Sequence, residues 1–165
     1  MQGILNKAKK IKLLLLDVDG VLTDGKIYMT DQGHEFKAFN SQDGVGIKLL
    51  QQCGVIVGVM TGRNSSMVEK RMAELGVTYI YQAQDDKLKT YQTVKMELNL
   101  KDENIAVMGD DLPDLAAIQQ AGLGITVPNA CATVKQYADW ETTRHGGFGA
   151  VREVCELIVL AKSSS

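Results

Sequence analysis

The stretch Ile11-Lys12-Leu13-Leu14-Leu15-Leu16-Asp17-Val18-Asp19-Gly20 governs how the rest of the chain is read. An apolar run broken only by Lys12 suits a strand covered on both faces, as in a parallel sheet. It stops abruptly at two carboxylates one residue apart, followed by glycine. Similar runs recur at Val55–Met60, Tyr79–Tyr81, Ile105–Met108 and Leu123–Val127. Helix-like stretches lie between them. Asp43 can cap a helix through Gln52, and Ser66 with Glu69 forms a capping-box pattern before a helix that stops at Gly76. Asp86–Leu98, Leu112–Gln120 and Gly149–Ala161 read as further helices. This alternation predicts an α/β fold, a three-layer Rossmann-like arrangement around a mainly parallel sheet, in one domain spanning residues 1–165. One segment breaks it. Lys26–Thr30 and Glu35–Phe39 flank the turn-forming Asp31-Gln32-Gly33, which predicts a projecting hairpin over about residues 26–39.

Ligands of open α/β sheets bind outside the carboxyl ends of the strands. Those ends carry Asp17 and Asp19, then Thr61-Gly62-Arg63, then Gly109-Asp110-Asp111 with Asp114 beyond. Lys87 opens the helix after the third sheet strand. Carboxylates crowded together repel unless a cation sits among them, and hard oxygen donors of this kind favour magnesium. The chemistry that needs this set is phosphoryl transfer. Asp17 and Asp110 are the expected direct ligands, with the backbone carbonyl of Asp19 as a third. Asp17, at the strand tip, is the expected nucleophile. Asp19 can protonate the leaving oxygen and then activate water. Thr61 and the backbone at Gly62 can donate to phosphoryl oxygens, and Lys87 can neutralise the remaining charge. Asp114 would orient Lys87 or a metal-bound water, while Asp111 suits a helix cap.

With 165 residues and a net charge of −2, the chain does not suit a nucleic-acid binder held by phosphate attraction. The basic run Lys7–Lys12 reads as a solvated lead-in to the first strand. No stretch approaches the ~20 apolar residues of a membrane span, and charge interrupts the N-terminal segment, so a cytoplasmic location is expected. Cys53, Cys131 and Cys155 are widely spaced without a CxxC pair, so all three are expected to be buried packing residues.

These motifs resemble those of the haloacid dehalogenase superfamily of phosphatases. Asp17-Val-Asp-Gly-Val-Leu-Thr-Asp matches its first motif, Thr61 its second, Lys87 its third and Gly109-Asp-Asp-Leu-Pro-Asp114 its fourth. Asp19 marks the phosphatase branch. Only 44 positions separate Asp17 from Thr61 and 26 separate Thr61 from Lys87, too few for a cap domain. Asp24-Gly25, Phe39-Asn40, Asp43-Gly44-Val45-Gly46-Ile47-Lys48 and Gly146-Gly147-Phe148-Gly149-Ala150-Val151-Arg152-Glu153 are similar to the 3-deoxy-D-manno-octulosonate 8-phosphate phosphatase family. That resemblance implies a homotetramer in which hairpins pack together and each active site borders a neighbouring chain. It implies that Asn40, Ser41, Gln42, Asp43, Gly44, Lys48, Arg63 and Arg71 line the substrate site. Arg152, in the C-terminal stretch of about residues 145–165, is available for an anion. It also implies hydrolysis of the octulosonate phosphate in lipopolysaccharide synthesis. Members of that family often carry Arg where Gln42 stands, and a glutamine cannot pair with a carboxylate as a charge. Two other readings are a phosphatase for another nonulosonate or sugar phosphate, and a non-catalytic assembly subunit. The intact Asp17, Asp19, Thr61, Lys87 and Asp110 argue against the latter.

Overall fold

The computed structural model describes Met1 to Ser164. Six parallel strands form the central sheet: β1 (Leu13–Leu16), β4 (Ile56–Met60), β5 (Tyr79–Tyr81), β6 (Ile105–Met108), β7 (Leu123–Thr126) and β8 (Trp140–Glu141). Their spatial order is β5-β4-β1-β6-β7-β8. Among the described residues, seven α-helices surround them: α1 (Gln2–Lys9), α2 (Ser41–Gln52), α3 (Ser66–Glu74), α4 (Lys87–Glu97), α5 (Leu115–Gln120), α6 (Ala132–Tyr137) and α7 (Ala150–Ser163). The hairpin is a separate antiparallel pair, β2 (Tyr28–Met29) and β3 (Glu35–Phe36), in register Tyr28 to Phe36.

The four leucines of β1 explain the three layers. Side chains alternate across a strand, so Leu14 and Leu16 face one cluster with α1, α2, α3 and α7, while Leu13 and Leu15 face a second with α4, α5 and α6. All four are fully buried. A continuous apolar run is what such a two-sided core requires. β1 pairs with β4 on one side and β6 on the other, with Leu16 opposite Val59 and Met108. The direction of winding therefore reverses at β1, and the crevice at its carboxyl end is where α/β sheets take ligands.

Several boundaries and elements differ from the sequence reading. Asn40, not Asp43, caps α2, because its Oδ1 accepts the Gln42 N–H at 2.8 Å. Ser65, not Ser66, caps α3 through the Met67 N–H, and the Glu69 carboxylate is engaged by Gln82 instead. Lys7 and Lys9 belong to α1, which buries Ala8 and runs against α7, so this basic run is not a plain lead-in. α6 and the two-residue β8 have no counterpart in the reading. Cys53 is exposed at the end of α2 and Cys131 is half-buried; only Cys155 lies in the core. The terminal Ser163–Ser165 reads from sequence as a disordered tail, but Ser163 closes α7 and Ser164 is its cap; Ser165 lies outside the described residues.

Candidate active site

Three backbone hydrogen bonds carry the strand ladders one residue further and fix the motif residues at one edge. The Asp17 N–H donates to Met108 O, the Thr61 N–H to Tyr81 O, and the Gly109 N–H to Ile125 O. The resulting cleft, of about 300 Å³, is lined by Asp17, Asp19, Gly25, Thr61, Gly62, Arg63, Lys87, Asp110, Asp111, Pro113 and Asp114. Asp17, Thr61, Lys87 and Asp114 are buried polar residues, which is costly unless each is partnered. Lys87 Nζ answers this for two of them, at 3.0 Å from Asp17 Oδ1 and 2.6 Å from Asp114 Oδ1.

Electrostatics separate the roles. Burial pushes the Asp17 carboxyl well above the usual carboxylate range; repulsion from Asp114 and Asp110 adds to this, and Lys87 opposes it. Burial also pushes Asp110 up to about 6, with Asp114 and Asp111 adding to it. Burial works against the Lys87 charge, but Asp17 and Asp114 outweigh it and hold the ammonium above its ordinary range. Oxygens of Asp17, Asp110 and Asp114 lie within 4.8 Å of one another, a set able to hold a divalent cation. Asp114 is already engaged, since its Oδ2 accepts the Asp110 and Asp111 N–H groups and its Oδ1 takes Lys87. That leaves Asp17 and Asp110 as the under-compensated pair, and two crowded carboxylates with raised pKa values fit a hard cation. Asp111 caps the short turn Leu112–Asp114 through the Leu112 N–H at 2.8 Å.

The first motif is compressed against the fourth. A Cβ on Gly20 would lie 1.9 Å from Asp110 Oδ2, and one on Gly146 would lie 1.8 Å from Gly20 O. Only glycine fits at either place. Asn129 ties the two loops, donating to Gly20 O at 2.9 Å and accepting the Gly146 N–H at 2.9 Å. The glycine-rich C-terminal stretch thus buttresses the first motif.

The remaining predicted substrate residues form a second group. Asn40, Ser41, Gln42, Asp43, Gly44, Lys48, Arg71 and Arg152 do not line the cleft. They sit where α2 meets α3 and α7. Arg152 donates its N–H to Asp43 Oδ1 at 2.9 Å and its Nη1 to Gln42 O at 3.3 Å. Arg71 presses on Gly44, where an added Cβ would meet its Nη2 at 2.4 Å. Ser41 and Lys48 are exposed on α2. Arg144, absent from the sequence reading, reaches Gln42 Oε1 at 3.3 Å and bears on Asp43. The reading also passed over Lys37 and Glu35. Lys37 Nζ lies 2.7 Å from Asp19 Oδ1 and 3.1 Å from Glu35 Oε1. Their spacing of two puts both on one side of a strand, which is the signal that could have found them.

Comparison with known proteins follows the same lines. The family model of haloacid dehalogenase-like hydrolases matches residues 78–154. The 3-deoxy-D-manno-octulosonate 8-phosphate phosphatase KdsC of Escherichia coli (strain K12) is 45% identical over 96% of this chain and 85% of its own. The chain belongs to that phosphatase family. The fold agrees at the level of coordinates. The 3-deoxy-D-manno-octulosonate 8-phosphate phosphatase of Moraxella catarrhalis, solved with a magnesium ion, a phosphate ion and a KDO molecule, has TM-score 0.97 and 49% identity. That match covers 99% of this chain and 94% of the other. The cobalt-bound deoxy-D-mannose-octulosonate 8-phosphate phosphatase of Haemophilus influenzae has TM-score 0.92 and 34% identity, covering 96% and 93%. Among the described residues of this family member, no helix is long and apolar enough to cross a membrane.

Proposed function

We propose that the chain hydrolyses 3-deoxy-D-manno-octulosonate 8-phosphate to the free sugar acid and phosphate, as a cytoplasmic, magnesium-dependent step of lipopolysaccharide synthesis. The observation that carries this is the convergence of Asp17, Asp19, Thr61, Lys87 and Asp110 on one cleft at the switch point of the sheet. Asp17 and Asp110, with the Asp19 carbonyl, would hold magnesium, which supplies charge neutralisation between the nucleophile and the phosphate dianion. An Asp17 carboxylate oxygen attacks phosphorus as the bridging P–O bond breaks. The electron pair of that bond passes to the sugar oxygen, which takes a proton from Asp19. Asp19 then removes a proton from water, whose oxygen attacks phosphorus. The bond to Asp17 breaks, its electron pair returns to the carboxylate, and phosphate leaves. Thr61, the Gly62 backbone, Arg63 and Lys87 hold the phosphoryl oxygens throughout.

The second group supports the sugar-acid reading by its chemistry. Arg71, Arg144 and Arg152 gather beside Gln42 and Asp43, so cationic charge for a carboxylate comes from neighbours of Gln42. Because Asn40, Ser41, Gln42, Asp43, Gly44, Lys48, Arg71 and Arg152 lie outside the cleft, we assign them to a site completed by an adjoining copy in a homotetramer. The experiment is a phosphate-release panel on the purified chain, with magnesium, after EDTA, and after magnesium add-back. The eight-carbon sugar-acid phosphate is expected to give the highest kcat/KM, activity to vanish with EDTA and return with magnesium. Asp17→Asn is expected to lower turnover by more than about 10³-fold, since the nucleophile is gone. A nine-carbon sugar-acid phosphate turned over equally well, or near-full activity in Asp17→Asn, would defeat the substrate or the mechanism respectively.

A further inference from the structure

We propose that Lys37, carried into the site by the hairpin, is a positioning residue for Asp19. The inference rests on Asp19 acting as the acid and base of the reaction. The Lys37 side chain is 4% exposed, and its Nζ sits 2.7 Å from Asp19 Oδ1 and 3.1 Å from Glu35 Oε1. The other Asp19 oxygen faces Arg63, whose Nε lies 3.8 Å away. Arg63 Nη2 in turn bonds Glu35 Oε2. Both oxygens of Asp19 are thereby flanked by cations from two separate elements, with Glu35 bridging those cations. Neither Lys37 nor Glu35 lines the cleft, so they act through Asp19 rather than on substrate.

Such a device is needed because the terminal torsion of an aspartate is broad. Asp19 has to present one oxygen to the ester bridge in the first half-reaction and to water in the second. An unheld carboxylate samples many directions, and a misplacement of about 1 Å costs roughly 10²-fold in rate. Burying an ammonium is expensive unless it is paired, so Lys37 would not be retained in this environment without its two carboxylates. The network is also distinct from the Lys87 pair, which holds Asp17 and Asp114.

A purely structural role for Lys37 would lower activity on every substrate alike. A positioning role is selective, since an alkyl leaving group must be protonated and 4-nitrophenolate need not be. The test uses the full chain with magnesium and measures kcat/KM for 3-deoxy-D-manno-octulosonate 8-phosphate and for 4-nitrophenyl phosphate, with kcat and KM resolved for the sugar phosphate. For Lys37→Met we expect a loss of roughly 10- to 100-fold on the sugar phosphate, seated in kcat, against less than about threefold on the aryl phosphate. Lys37→Arg is expected to restore most of the loss. Glu35→Gln keeps the ammonium while releasing Arg63, and is expected to move the same ratio the same way by less. Equal losses on both substrates, an unchanged sugar-phosphate kcat, or failure of arginine to rescue would each overturn the assignment. Should the aryl phosphate turn over too slowly to measure, the kcat–KM split and the arginine rescue decide it. Asp19→Asn tests the parent reading separately: sugar-phosphate turnover surviving in that variant removes the acid–base role itself. An inactive Asp19→Asn beside a wild-type-like Lys37→Met removes only the role of Lys37.

Discussion

Ala83 has φ of 53°, in the left-handed region that a Cβ disfavours by about 1–2 kcal/mol. The conformation serves the site. It lets the Ala83 N–H donate to Arg63 O and the Gln84 N–H to Thr61 O, which pins the Thr61-Gly62-Arg63 loop. Glycine adopts this backbone without steric cost but loses more entropy on folding. Ala83→Gly is therefore expected to stabilise the chain by about 0.5–1 kcal/mol, read as a rise of roughly 1–4 °C in Tm for a domain of this size. A lower midpoint would mean that the turn is unstrained. The contrast with the residues proposed as catalytic shows what single residues disclose. That Asp17, Asp19, Thr61, Lys87 and Asp110 share one cleft was legible because each stands at the end of an apolar run or at a helix start. Asn129 and Arg144 were not legible. Each works through a partner distant in sequence, such as Asn129 on Gly20 and Arg144 on Gln42, and nothing local marks that.

At the scale of elements, the junction of α2 and α7 turns on Asp43. α7 begins after Gly149, which offers no side-chain cap, and its Arg152 N–H is instead satisfied by Asp43 Oδ1 across the interface. The other oxygen, Oδ2, is buried without a hydrogen-bond partner among the described residues. Burial pushes Asp43 up from 3.8 to about 6, although the Arg152 N–H and the charges of Arg144, Arg152 and Arg71 oppose it. A carboxyl whose pKa is raised on folding contributes stability that is full below its unfolded value and is lost as pH climbs through the folded one. The folded chain thus forfeits up to about 3 kcal/mol between pH 4 and 7. Asp43→Asn keeps the acceptor and carries no charge. Its stability relative to the parent is expected to rise across that window, measured by urea unfolding at half-unit steps of pH. Parallel pH profiles would refute this. The elements themselves were legible in proportion to their apolar pattern. The strands of the sheet interior and the helices α2 to α5 and α7 follow from it. α1, α6 and β8 escaped: α1 carries a basic run over one buried alanine, and β8 pairs through two residues only. In both cases the tertiary contact, not the local sequence, supplies the stabilisation.

Taken as a whole molecule, the chain joins a rigid sheet to a hairpin of two residues per strand, and such a pair is marginal in water unless it packs on something. It exposes Ile27, Met29 and Phe36, each more than half accessible; Tyr28 stacks on Phe36 at 5.1 Å on one face, while Met29 lies across from Glu35 on the other. Exposed apolar groups clustered on a projecting element mark an association surface. The same element delivers Lys37 and Glu35 to Asp19, so whatever covers its exposed apolar groups also steadies that delivery. Light scattering at micromolar concentration is expected to give a tetrameric mass for the parent and a smaller species for the double variant Ile27→Asp, Phe36→Asp. If the hairpin links assembly to catalysis, that variant also loses kcat on the sugar phosphate, and its kcat recovers as protein concentration rises and the tetramer re-forms. A monomeric parent would remove the assembly reading. A dissociated variant with undiminished kcat would leave the tetramer standing but cut its connection to Asp19.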